Sequence, residues 1–282
     1  MAGIRRTGRF SASTALAGGR LPRVSRGKLD ADASTYIRAV EAADGQRLEQ
    51  PVRDAINAFV VGCKADGIWA PLKAACILAG ARTLTGALVP LVGAAPSSVS
   101  FVSGDYSRST GLVGNGSTKY LDANRAANAD PESNAHLAVF ATVEQTQGVT
   151  AYLAGASAAS ANDGMHFASS NSTTPNQWVV RCRMDSVDAD VKANQRVGLT
   201  GISRSGSANY IFRNNRENTT FTRTASGSAT VNHYIYGMNQ NGTLTLPSAA
   251  RLAFYSIGEA VDLALLDTRV TNLIGAIAAA LA

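Results

Sequence analysis

Three histidines, three cysteines and a scatter of carboxylates are the residues of this 282-residue chain able to bind metals, move protons or attack a substrate. His136, His166 and His233 each fall inside an apolar run, with no second His or Cys at ligand spacing. They read as strand residues, and no metal is expected. Cys63, Cys76 and Cys182 are too few, and odd in number, for a disulfide framework. Three small buried thiols in a protein made in a reducing cytoplasm are expected instead. Gly114-Asn115-Gly116 lacks the Lys and the flanking elements of a phosphate loop and predicts a tight turn. Asp185, Asp188 and Asp190 alternate as calcium ligands can, but without the Gly and terminal Glu of an EF-hand, so a solvated turn is expected. Paired acids of a glycosidase stand about 5–10 Å apart in the fold, and nothing in the sequence marks such a pair. These readings predict no catalytic residue and no cofactor: the chain is expected not to be an enzyme.

The residues that could bind a partner are concentrated elsewhere. Residues 1–28 hold Arg5, Arg6, Arg9, Arg20, Arg23, Arg26 and Lys28 with no Asp or Glu. Removing these seven from the 26 basic residues leaves 19 against 20 acidic ones, a net of −1 for the remainder, so the whole excess behind the formal +6 lies in this segment. A fold that grips nucleic acid carries its basic face on the folded body; here the body is neutral, and an acidic protein partner is expected. The segment's apolar content, Ile4, Phe10, Leu16, Leu21 and Val24, is too thin to offset chain entropy, so on its own it is expected to be disordered. Arg5, Arg6, Arg9, Phe10, Arg20, Arg23, Arg26 and Lys28 are its candidate partner-binding residues. It contains no signal-peptide core, and its likeness to a transit peptide in composition is not followed by anything resembling an organellar enzyme. The most apolar stretches, about 68–95 and 270–282, are cut by Gly and Pro or too short to span a membrane.

The elements expected to carry these residues fall into three zones. Asp30 or Asp32 can cap a helix with Tyr36, Ile37 and Val40 on one face, ending at Gly45. Pro51 suits the first turn of a second, with Val52, Ile56, Phe59, Val60 and Cys63 at helical spacing. A third helix is expected from Ile68 through Leu78. Together these make a helical base over 29–95. From Pro96 the texture changes to short apolar runs at 136–144, 149–155, 164–169, 177–184, 196–203, 208–213, 218–224, 230–238 and 250–257, separated by Gly, Asn, Ser and Asp. One of them sets Trp178, Val180, Cys182 and Met184 on one side and Arg181 and Arg183 on the other. This spacing predicts a mainly β fold, an antiparallel jelly roll or β-sandwich over 96–258. The aromatics Tyr106, Tyr120, Trp178, Tyr210, Tyr234, Tyr236 and Tyr255 read as core rather than as a sugar-stacking platform. A final helix over 259–282 presents the stripe Leu266, Val270, Leu273, Ile277 and Leu281, expected to pack on the base, with Asp262, Asp267, Arg269 and Asn272 off the stripe.

Two blocks frame this sandwich. The first runs DADASTYIRAVEAADGQRLEQPVRDAINAFVVGCKADGIWAPLKAACILAGARTLTGALVPLVG and continues FVSGDYSRSTGLVGNGSTKYLDANRAANADP; the second is ARLAFYSIGEAVDLALLDTRVTNLIGAIAAAL. Together they resemble a group of phage and prophage virion structural proteins in which a variable concanavalin A- or laminin-G-like jelly roll is framed by stereotyped N- and C-terminal blocks. The resemblance covers about 30–135 and 250–282; residues 136–249 look individual to this chain. It implies a virion location, display on the particle as a head decoration (cement) subunit or a tail-fibre or baseplate component, and anchoring through the basic N-terminal arm. The partners implied are other capsid or tail proteins and further copies of the chain, with trimers among the assemblies expected of such proteins. The alternative is a lectin-like module of the tail that binds host-surface glycan. Neither membrane nor nucleic acid is an expected partner, and the resemblance supplies no catalytic residues.

Overall fold

The computed structural model describes residues 29–145, 149–158, 163–169, 177–186, 190–193 and 197–282. The basic segment, including Arg5, Arg6, Arg9, Phe10, Arg20, Arg23, Arg26 and Lys28, lies outside them.

Local signals place the first two helices as expected. The Asp30 side chain caps α1 (Ala31–Asp44) by accepting the Asp32 N–H at 2.9 Å, and Gly45 ends it at φ +64°. Pro51 sits in the first turn of α2 (Gln50–Ala65). Their buried faces carry Tyr36, Ile37 and Val40, and Val52, Ile56, Phe59, Val60 and Cys63. The expected third helix is absent. Leu72–Ile77 forms a strand, β1, hydrogen-bonded to the last strand of the chain. Its run reads as continuously apolar because both faces are buried: Ala75 and Ile77 pack among the helices, while Ala74 and Cys76 pack inside the sandwich. A one-turn helix, α3 (Leu84–Ala87), follows.

Next come β2 (Ser97–Val99), β3 (Tyr106–Ser107), β4 (Gly111–Val113) and β5 (Tyr120–Ala126), none of them marked by alternation in the sequence. Each of the nine apolar runs then contains a strand: β6 (Ala135–Val143), β7 (Ala151–Ser157), β8 (Met165–Ser169), β9 (Gln177–Cys182), β11 (Gly198–Arg204), β12 (Asn209–Asn214), β13 (Glu217–Thr222), β14 (Asn232–Ile235) and β17 (Arg251–Gly258). Short strands β10 (Asp190–Ala193), β15 (Met238–Gln240) and β16 (Thr243–Thr245) complete the set. Among the described residues one sheet runs β13-β12-β11-β6-β17-β4-β3, with β1 also on β17; the other runs β10-β9-β8-β7-β14-β5-β2, with β15 and β16 attached. Among the described residues every pairing of strand with strand other than β15 on β7 is antiparallel.

The result is three layers. Helices cover one face of the first sheet, and the second sheet covers the other. Alternation along β6 makes this division explicit: Ala138 and Phe140 face the helices, Leu137, Val139 and Ala141 the second sheet. The last helix, α4 (Leu263–Ala280), is capped by Asp262, whose carboxylate accepts the N–H groups of Ala264 and Leu265. It buries Leu266, Val270, Leu273 and Ile277 as the stripe predicts. Asp267, expected off the stripe, is buried too. By length and composition α4 could cross a membrane, with a mean hydropathy of 1.3; here its apolar stripe is packed on α2 and the first sheet. Gly201 of β11 makes room for it, since a Cβ there would lie 3.1 Å from Leu263 Cδ2 and 2.9 Å from Ala138 Cβ. Arg269 of α4 forms a two-pronged pair with Asp66, at 2.6 and 2.8 Å, fastening the end of the chain to α2.

Candidate functional site

A surface recess lies where α4 meets the β12–β13 hairpin. Its two-residue turn, Asn215-Arg216, has φ of 51° and 62°, the type I′ geometry that matches strand twist. Glycine is favoured at the second position, so Arg216 is held there at some cost in backbone strain. The turn sets Arg216 over a cavity of about 330 Å³ lined also by Phe140, Thr142, Leu199, Asp267 and Thr271. A second cavity of about 230 Å³ shares Arg216, Asp267 and Thr271 and adds Arg213, Thr268 and Asn272. Asp267 accepts from Arg213 Nε at 2.8 Å and from Thr271 Oγ1 at 3.1 Å, and Arg213 Nη1 donates to Asn218 Oδ1 at 2.9 Å. Arg216 makes no ion pair among the described residues. With two guanidinium groups against one engaged carboxylate, the recess can accept an anionic group beside an apolar wall.

The outer side of the second sheet gathers a further set of polar residues, of which Tyr234, His166 and Arg181 are buried. Cross-strand pairing puts Asp122, Tyr234, Gly155, His166 and Arg181 in one row. The rings of Tyr120 and Tyr234 lie 4.4 Å apart, tilted by 33°. Burial, with Tyr120 alongside, pushes the Tyr234 phenol up to about 12. Asp122 accepts from Asn232 Nδ2 at 3.3 Å and from the Asn124 N–H at 2.8 Å. Gly155 permits the close approach of β8, because a Cβ there would stand 2.3 Å from His166 Cβ.

The residues singled out by type resolve as follows. All three cysteines are free and buried, and burial raises the Cys63 thiol to about 12. The three histidines are buried. His136 contacts the Glu259 carbonyl at 2.5 Å and Ser256 Oγ at 3.1 Å, whereas among the described residues neither ring nitrogen of His233 has a hydrogen-bond partner. Among the described residues no group of three or more His, Cys, Asp or Glu could hold a metal. Asn115 turns the chain as expected, its Oδ1 accepting the N–H groups of Ser117, Thr118 and Lys119. The solvated-turn expectation fails at Asp190, which is buried and pairs with Arg223 at 2.6 Å while accepting from the Tyr210 hydroxyl at 2.8 Å. Asp185 is exposed and Asp188 lies outside the described residues. Arg181 and Arg183, expected on a polar face, are both buried. Arg183 donates to the carbonyls of Ala127, Asp130 and Pro131, and Arg204, fully buried, to that of Cys182. Nothing in the sequence marks the Arg183 site, since its acceptors are backbone carbonyls more than 50 residues away. Of the aromatics, Trp178, Tyr210, Tyr234, Tyr236 and Tyr255 are core, and Tyr106 and Tyr120 are half-buried.

No protein-family model and no curated protein matches the sequence. Among solved structures, the NanB sialidase of Streptococcus pneumoniae is similar at 10% identity and a TM-score of 0.42, covering 56% of this chain and 27% of its own. The binding domain of botulinum neurotoxin serotype D is similar at 8% and 0.44, covering 71% and 50%. The CBM40 of the Ruminococcus gnavus IT-sialidase gives 13% and 0.34, covering 52% and 86%. The chain thus spans about a quarter of the NanB sialidase. These likenesses concern architecture only, and the sandwich here rests on its own strand pairing.

Proposed function

We propose that the chain is a non-catalytic structural protein of a bacteriophage particle, displayed on its head or tail and anchored by the basic segment 1–28. The observation supporting this is how sequence maps onto space. Residues 30–135 and 250–282, the two framing blocks, meet to form the helical layer and one flank of each sheet, locked by β1 on β17 and by α4 on α2. Residues 136–249 supply the opposite flank, β13-β12-β11-β6 of one sheet and β10-β9-β8-β7-β14 of the other. A platform closed by both chain ends can thus carry a flank whose surface varies independently. Exposed ion pairs contribute only about 0–1 kcal/mol each, so anchoring by the arm also needs its apolar residues and many copies per particle. Changing Arg5, Arg6 and Arg9 together to Ala should strip the protein from purified particles while its melting temperature is unchanged. Undiminished occupancy would refute the anchoring role, and labelled antibody on the same particles distinguishes head from tail.

A second reading, glycan recognition by the displayed flank, is favoured by the recess that carries Arg216, which has no ion pair among the described residues. Its chemistry suits a sugar bearing a carboxylate or sulfate. The full chain on a glycan array should then retain acidic sugars and lose them on Arg216→Ala; absence of any glycan signal leaves the structural role alone.

A further inference from the structure

β13 closes one end of the first sheet, and its outer backbone edge has no partner among the described residues. The two-residue turn fixes which groups are free. Asn214 with Glu217, Phe212 with Thr219 and Tyr210 with Phe221 are the hydrogen-bonded pairs toward β12. The Arg223 N–H continues that alternation by donating to the Ala208 carbonyl at 3.1 Å. The N–H and C=O of Asn218, Thr220 and Thr222 therefore point outward, and all three residues are exposed.

Folded proteins blunt such edges with shortness, Lys, Pro or bulges. The other edges here follow that practice: β2, β3 and β10 have three, two and four residues, and the outer side of β1 is bridged by Val92. β13 has six residues in unbroken register with β12, with neither Lys nor Pro and with Glu217 as its one charge. We infer that β13 is the seam of a twofold dimer, pairing antiparallel with β13 of a second copy and centred on Thr220. This goes beyond the display role and does not depend on it.

The strand's own sequence selects both the occupant and the register. Centring on Thr220 sets Asn218 opposite Thr222 of the second copy, so every outward group meets its complement, about six hydrogen bonds in all. The same register places Thr219 opposite Phe221 and Glu217 opposite Arg223, each pair occurring twice by symmetry. Cross-strand Thr–Thr, Thr–aromatic and opposite-charge pairs all favour association. A shift by one residue would turn free groups toward engaged ones, so it makes no ladder.

Sedimentation of the full chain over a micromolar concentration series tests this. Dimers are expected, with amide exchange at Asn218, Thr220 and Thr222 slowing as dimer forms. Thr220→Pro removes an outward N–H that the monomer does not use, a substitution edges tolerate. Thr220→Lys keeps the backbone intact and sets two ammonium groups against each other. Both variants should sediment as monomers with the wild-type circular dichroism, and Thr220→Lys decides alone if the proline variant fails to fold. Glu217→Lys should weaken the dimer several-fold, less so at high salt. A chain monomeric at every concentration, or a dimer or trimer that Thr220→Lys leaves intact, would overturn the inference.

Discussion

At the scale of single residues, this protein hides its polar groups. Burial lowers the pKa of His136 to about 4, against the hydrogen bond to the Glu259 carbonyl, and lowers His166 to about 3, with Arg181 adding to it. His233 falls to about 3 through burial and the neighbouring Arg183 and Arg125. Each folded value lies below the ordinary 6.5, so the fold holds the neutral ring. The resulting stability is complete above about pH 6.5 and is lost as pH falls toward 4 and below. At pH 5 the loss is on the order of 2 kcal/mol per histidine. The carboxylates of Asp30, Glu49, Asp66 and Asp105 are also held below their usual range, but their contribution is lost only at lower pH. The melting temperature should therefore fall steeply between pH 6.5 and 5, and His233→Leu should flatten that slope; a level profile down to pH 5 would contradict it. Cys63, Cys76, Cys182 and Asn115 were legible in the sequence because burial and turn formation follow from residue type and near neighbours. Asp190, Arg183 and Asp267 were not, because Tyr210, Pro131 and Arg213, which hold them, lie 20 or more residues away.

Among elements, helices with capping signals and the strands inside the nine separated apolar runs were readable, whereas β1 and the short strands β2 to β5 were not. β1 is the instructive failure. Its run of Ala, Cys and Leu has no period because helices cover one face and the second sheet the other, and a short apolar run of that kind fits either structure. Its register is enforced by Gly258 of β17. A Cβ at that position would lie 2.0 Å from the Pro71 carbonyl oxygen and 2.9 Å from the Lys73 nitrogen, both backbone atoms that cannot swing aside. Gly258→Ala should therefore destabilise the protein by about 3 kcal/mol, at the upper end for overpacking. Gly275→Ala is the matching control: it lies in α4 with nothing within 4 Å of the added carbon, and it should stabilise by about 1 kcal/mol through helix propensity alone. Denaturant midpoints of the two variants should move in opposite directions. Parallel shifts would mean that β1 is not held where the pairing places it.

For the molecule as a whole, the decisive feature is that one sheet serves two cores. Ala138, Phe140 and Phe254 belong to the core beneath the helices, while Leu137, Val139 and Tyr255, their neighbours in β6 and β17, belong to the core between the sheets. Neither core can be lost without exposing the back of the strands that close the other. The nominal helical base and sandwich, separable in the sequence at about residue 95, should therefore unfold together. Leu266→Ala removes a fully buried side chain from the first core, and Phe167→Ala one from the second. Large-to-small changes of these kinds cost about 2–5 and 3–5 kcal/mol. Each should lower one common calorimetric transition, leaving its ratio of calorimetric to van't Hoff enthalpy near unity. If Leu266→Ala instead split off an early transition while the remainder melted at the wild-type temperature, the platform and the displayed flank would be independent bodies. The shared sheet makes the opposite demand, since Phe140 and Val139 are consecutive residues of a single strand and cannot part company.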